Sequence, residues 1–423
     1  MTAPIEIKSA EERESALIAP PDSFGSYVAG YIGKVRGGDM GALPAVLGIV
    51  VLSVVFGIVN HTFLTKGNFA NLLTQGAPIM VIAMGLVFVL LLGEIDLAAG
   101  YTSGVAAATM ATLLSGANPK PLWITLIAAI GAGVAIGLLQ GLLVAKVGIP
   151  SFVVTLAGFL AWQGVVLWIV GEGGTIVVNN SVIDAIEGGN MSPAAGWILL
   201  VVVVVGYAAV TVGRVARRHQ RNLAAEPMSV AIARVVTLAV LGSAAVYVLN
   251  QNRSLFAGNT LLGIPWVVPI LLVLLVAGTF LLNRTTYGRH IYATGGNTEA
   301  ARRAGIRVDG IRISVFVLCS AFAAVGGIIA ASRLQSVDPQ AGGGNTLLFA
   351  VGAAVIGGTS LFGGRGKIRD AVLGGAVIAI IANGMSLLGW SSAVQFVATG
   401  VVLLIAAGVD ALSRKTAAAS GRG

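Results

Sequence analysis

Continuous apolar runs of about the length of a membrane span recur along this chain, separated by short polar stretches. Twelve can be delimited, near residues 43–60, 75–92, 99–116, 122–145, 151–170, 194–212, 231–249, 265–282, 312–332, 347–361, 371–389 and 393–410. A helix needs about 20 apolar residues to cross a bilayer, and these runs approach that. They lack the strict alternation of a transmembrane barrel strand, so the predicted element is the helix. Backbone amides have no water to bond inside hydrocarbon, which leaves the same choice. The pattern therefore predicts an all-α polytopic membrane protein of about 12 transmembrane segments. Gly133, Gly137 and Gly141 recur every fourth residue on one face of the fourth segment, where another backbone can come close. The second to fifth segments loosely parallel the ninth to twelfth, each set with a Gly-rich break after an apolar run, which suggests an internal repeat.

The longest polar interruption in the second half runs from Arg284 to Arg312. It contains a short helix signal. Gly295 and Gly296 break what precedes, and Asn297 is a good N-cap because its side-chain oxygen can accept from a first-turn amide. Glu299 stands at the positive end of the helix dipole, and Arg302 and Arg303 at the negative end. Glu299 and Arg303 are four residues apart in the favourable order. Gly305 is the C-terminal stop. Thr298 opens the helix, and Ala300, Ala301 and Ala304 form one small, flat face. A helix of about two turns is unstable alone in water, so it needs a dock.

Composition places the chain in a membrane. It has 423 residues, of which 56% are hydrophobic and 10% charged. Its mean hydropathy is +0.92. A soluble chain carries about a quarter charged residues. The net charge of +9 sets topology and does not point to nucleic acid. With the N-terminus inside and the segments alternating, 22 of the 26 Lys and Arg residues fall inside. Only Lys66, Lys120, Arg253 and Arg333 fall outside. Both termini are therefore expected in the cytoplasm, with residues 1–42 as an N-terminal tail, 43–410 as the transmembrane domain and 411–423 as a C-terminal tail. The loop 284–312 is then cytoplasmic, and the acidic loop 171–193 faces out. The basic loop 213–230 reads as a topology anchor against anionic lipid headgroups. No secretory signal peptide is read at the N-terminus. The single Cys319 lies in an apolar run and leaves no intramolecular disulfide.

Charge is absent from the middle of every segment. Glu94, Asp96, Asp370 and Asp410 all lie at segment ends. Ion-coupled transporters need an intramembrane charge to pair the coupling ion, so this counts against a secondary sugar transporter. It suits a neutral, hydroxyl-rich cargo. Candidate path-lining residues are Glu94, Asp96, Thr155, Gln163 and Asn383, with Asn383 singled out beside Gly384. Each has a structural alternative: Asp96 as the cap of a helix starting near Leu97, the amides and hydroxyls as interhelical bonds. No catalytic residue is found. GRGKI at 364–368 fails as a phosphate-binding loop, because Leu361 replaces the first glycine and Ile368 the Ser/Thr. His61, His219 and His290 are scattered, so no metal site is expected.

The assembled motifs resemble the permease subunits of bacterial ABC importers for ribose, xylose and galactose. The matching stretches are GEIDLAAG (93–100), IPSFVVTLAGFLAWQGV (149–165), TTYGRHIYATGGNTEAARRAGI (285–306), VIGGTSLFGGRGKIRDAVLGG (355–375) and NGMSLLG (383–389). An additional segment near 214–262 makes the xylose permeases the best match within the group. Most of the family has a serine where Ala98 stands. The resemblance implies a multi-pass protein of the bacterial inner membrane with the ABC importer permease fold, not an enzyme, which imports xylose or a similar monosaccharide (ribose, galactose, arabinose or inositol being the other candidates). It implies a homodimer, a separate cytoplasmic subunit that binds ATP and Mg, and an extracytoplasmic sugar-binding protein. It maps the ATPase-coupling helix onto Asn297–Gly305, led in by Gly295 and Gly296. This chain itself would bind no cofactor.

Overall fold

The computed structural model describes residues 24–36, 41–115, 118–223, 225–254, 256 and 258–419. In chain order its helices are α1 (Phe24–Arg36), α2 (Leu43–Val59), α3 (Lys66–Leu91), α4 (Ala99–Ser115), α5 (Leu122–Leu142), α6 (Ser151–Val170), α7 (Ser181–Gly188), α8 (Pro193–Gln220), α9 (Met228–Leu249), α10 (Val267–Arg284), α11 (Thr286–Gly296), α12 (Thr298–Arg303), α13 (Val308–Leu334), α14 (Thr346–Ile356), α15 (Ile368–Leu387) and α16 (Ser392–Ala419). Strands β1 (Ile176–Val177) and β2 (Ser336–Val337) pair antiparallel, Ile176 opposite Val337. Each of the twelve apolar segments contains a helix, the tenth only as far as Ile356. Among the described residues, eight helices are long and apolar enough to cross a membrane, and Leu43–Val59, Thr346–Ile356 and Ser392–Ile405 are shorter apolar helices. The protein is an all-α polytopic membrane protein.

The chain divides into two compact units. The larger comprises Gly41–Met191 and Asn252–Ala411. Its centre is α3, which is buried continuously from Met80 to Leu91. Helix α13 packs along α3, α4 and α5, and α15 packs on α3 and α14. Phe88, Met84, Leu86 and Leu90 of α3 meet Phe316 and Ile329 of α13 in one core. The glycine stripe on α5 has the expected use. A Cβ at Gly133, Gly137 or Gly141 would come within 2.5–2.8 Å of the backbone of α13. Helix α5 ends in a π turn over Leu143–Val147, a single-turn insertion of the kind found inside longer helices.

The smaller unit comprises Met1–Met40, Ser192–Gln251 and Leu412–Gly423. Helices α8 and α9 pack together, with Leu200 against Gly242. Arg234 donates to Glu226 at 3.0 Å and to the Tyr27 hydroxyl at 2.6 Å.

Three sequence expectations change. Within the N-terminal tail, residues 24–36 form a helix; Tyr27, Val28, Tyr31 and Ile32 follow helical spacing there. The described part of the C-terminal tail continues α16 as far as Ala419. The loop 171–193 holds β1 and α7, with Asn180 capping α7 by accepting from the Val182 and Ile183 amides.

Candidate functional site

The polar interruption at 284–312 folds as two helices in sequence. Thr285 caps α11, its hydroxyl oxygen accepting from Gly288 N–H at 3.1 Å. Helix α11 runs through Gly295 and Gly296 and ends at Asn297, so the break falls one residue later than the glycines suggest. Asn297 is extended (φ −157°, ψ 103°), and its Oδ1 accepts from Ala300 N–H at 2.9 Å. Glu299 pairs with Arg302 at 2.7 Å and not with Arg303. Both partners are exposed, and on one turn and a half the three-residue spacing is the nearer of the two. The stop signal is obeyed: Gly305 has φ +83° and donates to Arg302 O, while Ile306 N–H donates to Ala301 O. The alanine face is split. Ala301 is buried against the protein's own α13 side, whereas Ala300 and Ala304 are exposed beside Glu299, Arg302 and Arg303. The outward surface of α12 is therefore two methyl groups framed by charge.

Behind α12 the backbone of α11 is pressed onto the end of α3. A Cβ at Gly295 would collide with the Leu91 carbonyl oxygen. Gly364 N–H donates to that same carbonyl at 2.9 Å, and the Tyr292 hydroxyl donates to Gly366 O at 2.7 Å. Glu94, three residues past α3, pairs with Arg312 at 3.1 Å. The next residue, Ile95, is clamped from α6. Its N–H donates to Ser151 Oγ at 3.3 Å, and Thr155 Oγ1 donates to its carbonyl at 3.1 Å. Asp96 is buried, and its Oδ1 accepts from Ala98 N–H at 2.9 Å. Its Oδ2 is buried with no hydrogen-bond partner among the described residues. Loops 91–96 and 362–366 and the end of α11 thus form one joint of close backbone contacts.

A cavity of about 350 Å³ lies among α3, α4, α13, α14 and α15. Pro78, Ile79, Ile82, Phe349 and Ile378 give it apolar walls. Gln75, Ser103, Arg333, Asp338, Gln340 and Thr346 give it polar ones. Beside it, α7 is tied to the end of α13: Glu187 N–H donates to Ser332 Oγ, whose hydroxyl donates to Ile183 O. The Glu187 carboxyl is buried with neither oxygen hydrogen-bonded. Burial pushes it up to about 8, against the opposing pull of Arg333.

Residues 68–407 match the family model described as the branched-chain amino acid transport system / permease component. The chain belongs to this permease family. The permease is 34% identical over 387 residues to the xylose transport system permease protein of Haemophilus influenzae, covering 90% of this chain and 99% of that one. Its identity to the Escherichia coli xylose transport system permease protein is 33% over 353 residues, 84% of this chain and 87% of that one. The ribose import permease protein of Bacillus subtilis is 31% identical over 374 residues, 88% and 94% of the two chains. No solved structure matches. The resemblance to sugar permeases, with the xylose permeases foremost, is thus a likeness across the chain and not of a few motifs. These relatives are transport components, and the permease is a multi-pass membrane protein of that class, not an enzyme.

None of the five candidate path residues lines the permease cavity. Glu94, Asp96 and Thr155 all belong to the joint behind α12. Gln163 is half-buried on α6 and is not part of the cavity wall. Asn383 is buried one residue from cavity-lining Ala382 and donates to Gln75 at 3.2 Å. Sequence reasoning missed Gln75, Arg333, Asp338, Gln340 and Thr346. Gln75 opens the segment 75–92, and the other four lie between the segments 312–332 and 347–361, a polar stretch that hydropathy reads as loop.

Proposed function

We propose that this chain is the membrane subunit of an ATP-driven importer for a monosaccharide, xylose or a similar sugar, in the bacterial inner membrane. It works as a homodimer, with a cytoplasmic ATP-binding subunit and an extracytoplasmic sugar-binding protein, and takes up ATP-driven motion through residues 297–305. The observation that carries this reading is α12 itself. It is a capped helix too short to stand alone, with Ala301 inward and Glu299, Ala300, Arg302, Arg303 and Ala304 offered outward. The joint behind it supports the coupling role. A push on α12 reaches α11, and Gly295 passes it to the end of α3 without an intervening side chain. The cavity walled by α3, α13 and α15 supports a path for a neutral polyol, with apolar faces for ring carbons and a few polar groups for hydroxyls. Movement of packed helices about such a joint is how domain closure becomes alternating access.

The test uses Glu299→Arg and Gly305→Pro in the assembled transporter. Proline can neither take φ +83° nor donate to Arg302 O. Both variants are expected to lose sugar uptake and the ATPase subunit while their thermal unfolding stays close to wild type. Undiminished uptake by both overturns the coupling assignment. Sugar transport by the chain reconstituted alone, with no ATPase, overturns the importer reading. Calorimetry of the cognate binding protein with candidate sugars then fixes the cargo.

A further inference from the structure

One wall of the cavity is held by a directional chain of buried amides. Asn68, 7% exposed, donates through Nδ2 to the Phe63 carbonyl at 2.9 Å and to Asn383 Oδ1 at 2.8 Å. Asn383, 3% exposed, donates through Nδ2 to Gln75 Oε1 at 3.2 Å. Gln75 is only half-buried and lines the cavity. The direction of this chain is not arbitrary. A backbone carbonyl can only accept, so Asn68 must turn its NH₂ toward Phe63, and that NH₂ also supplies Asn383. Asn383 must then accept with its oxygen and donate with its nitrogen. Gln75 must accept with its oxygen, which leaves its NH₂ as the group presented to the cavity.

Resting on the importer reading above, we propose that Gln75 is a specificity-determining residue of the path. It donates to a hydroxyl oxygen of the passing sugar, and Asn383 and Asn68 are positioning residues that hold its amide in the donating sense. Sugar selection is then shared between the binding protein and the permease. Cargo hydroxyls can both donate and accept, but only their accepting side fits here. A site built to hydrogen-bond a group discriminates through that bond, because the unpaired alternative leaves a polar group unsatisfied.

The relay makes an unusual prediction, that changes at three positions have one phenotype. In Gln75→Glu the cavity meets an acceptor. In Asn383→Asp the aspartate can only accept, so Gln75 must turn over, donate to it and show its oxygen to the cavity. In Asn68→Asp the inversion passes through Asn383 to Gln75, although Asn68 does not line the cavity. The experiment measures ATP-driven uptake of D-xylose and each monodeoxyfluoro-xylose by the full transporter with one binding protein throughout. Fluorine accepts weakly and cannot donate. All three variants are expected to raise the transport KM for xylose about threefold to tenfold, the worth of one hydrogen bond, with kcat held within about twofold. Each should also discriminate several-fold more strongly than wild type against one particular fluoro position, the same in all three. A loss of folding would lower uptake of every sugar alike and leave that ratio unchanged. Gln75→Glu alters a half-buried side chain at the cavity wall and keeps the test open if the buried aspartates fail to assemble. An unchanged fluoro-to-parent ratio in active Gln75→Glu transporter overturns the relay while leaving the importer intact. No ATP-driven uptake of any monosaccharide by the wild-type assembly overturns the importer reading and this inference with it.

Discussion

Glu187 shows how one side chain can tie stability to pH. Its carboxyl ordinarily titrates at 4.5, but burial raises it to about 8 in the folded protein. Between those values the folded chain holds a proton that the unfolded chain has released. Stability therefore falls as pH rises from 4.5 to about 8 and is level above it. Glu187→Gln removes the titration. In detergent, the unfolding free energy of the variant minus that of wild type should grow between pH 5 and 8 and then flatten, by an amount on the order of a few kcal/mol. A difference independent of pH would contradict the assignment. Gly295 makes a second case. Its hydrogen is the only side chain that fits against Leu91 O, so Gly295→Ala should part α11 from α3. The expected outcome is ATP hydrolysis that continues with sugar uptake reduced at least tenfold, measured side by side in proteoliposomes.

At the scale of the element, α12 depends on its ends. Asn297 accepts from Ala300 N–H, and Gly305 closes the last turn. Asn297→Ala should cost about 1 kcal/mol of local helix stability, the ordinary worth of an N-cap. Hydrogen exchange of the Ala300–Arg303 amides should accelerate about fivefold while α11 stays protected. Equal acceleration in both helices would mean that they open together. The start, the stop and the polarity of α12 were all legible in the sequence, because capping and dipole chemistry are local. Its pairing was not. Glu299 meets Arg302 instead of Arg303, and Ala301 turns inward, because the side the helix offers is set by what lies behind it.

For the whole molecule, the charge split predicts which loops face which side. Cys319 is buried, so a membrane-impermeant thiol reagent should not reach it. Single cysteines at Lys120 or Lys66 should then label from outside in intact cells. Cysteines at Arg217, Arg303 or Arg369 should label only after permeabilisation. Labelling of Arg303→Cys from outside would invert the topology and remove α12 from reach of any cytoplasmic ATPase.

All twelve helices of the apolar pattern were available from the chain alone. A membrane-spanning run satisfies its backbone internally, and its length and apolarity are properties of consecutive residues. The glycine stripe on α5 and the polar joint-forming loops could also be marked in this way. Which polar residues meet was decided only by the tertiary structure. Glu94, Asp96 and Thr155 share a joint because α3, α4 and α6 bring their ends together. Asn68, Gln75 and Asn383 share a relay across a separation of more than 300 residues. Such contacts depend on helix crossing and rotation, which hydropathy does not encode. The sequence determined which runs are apolar helices and where the short helix α12 starts and stops, and packing determined which side chains line the cavity.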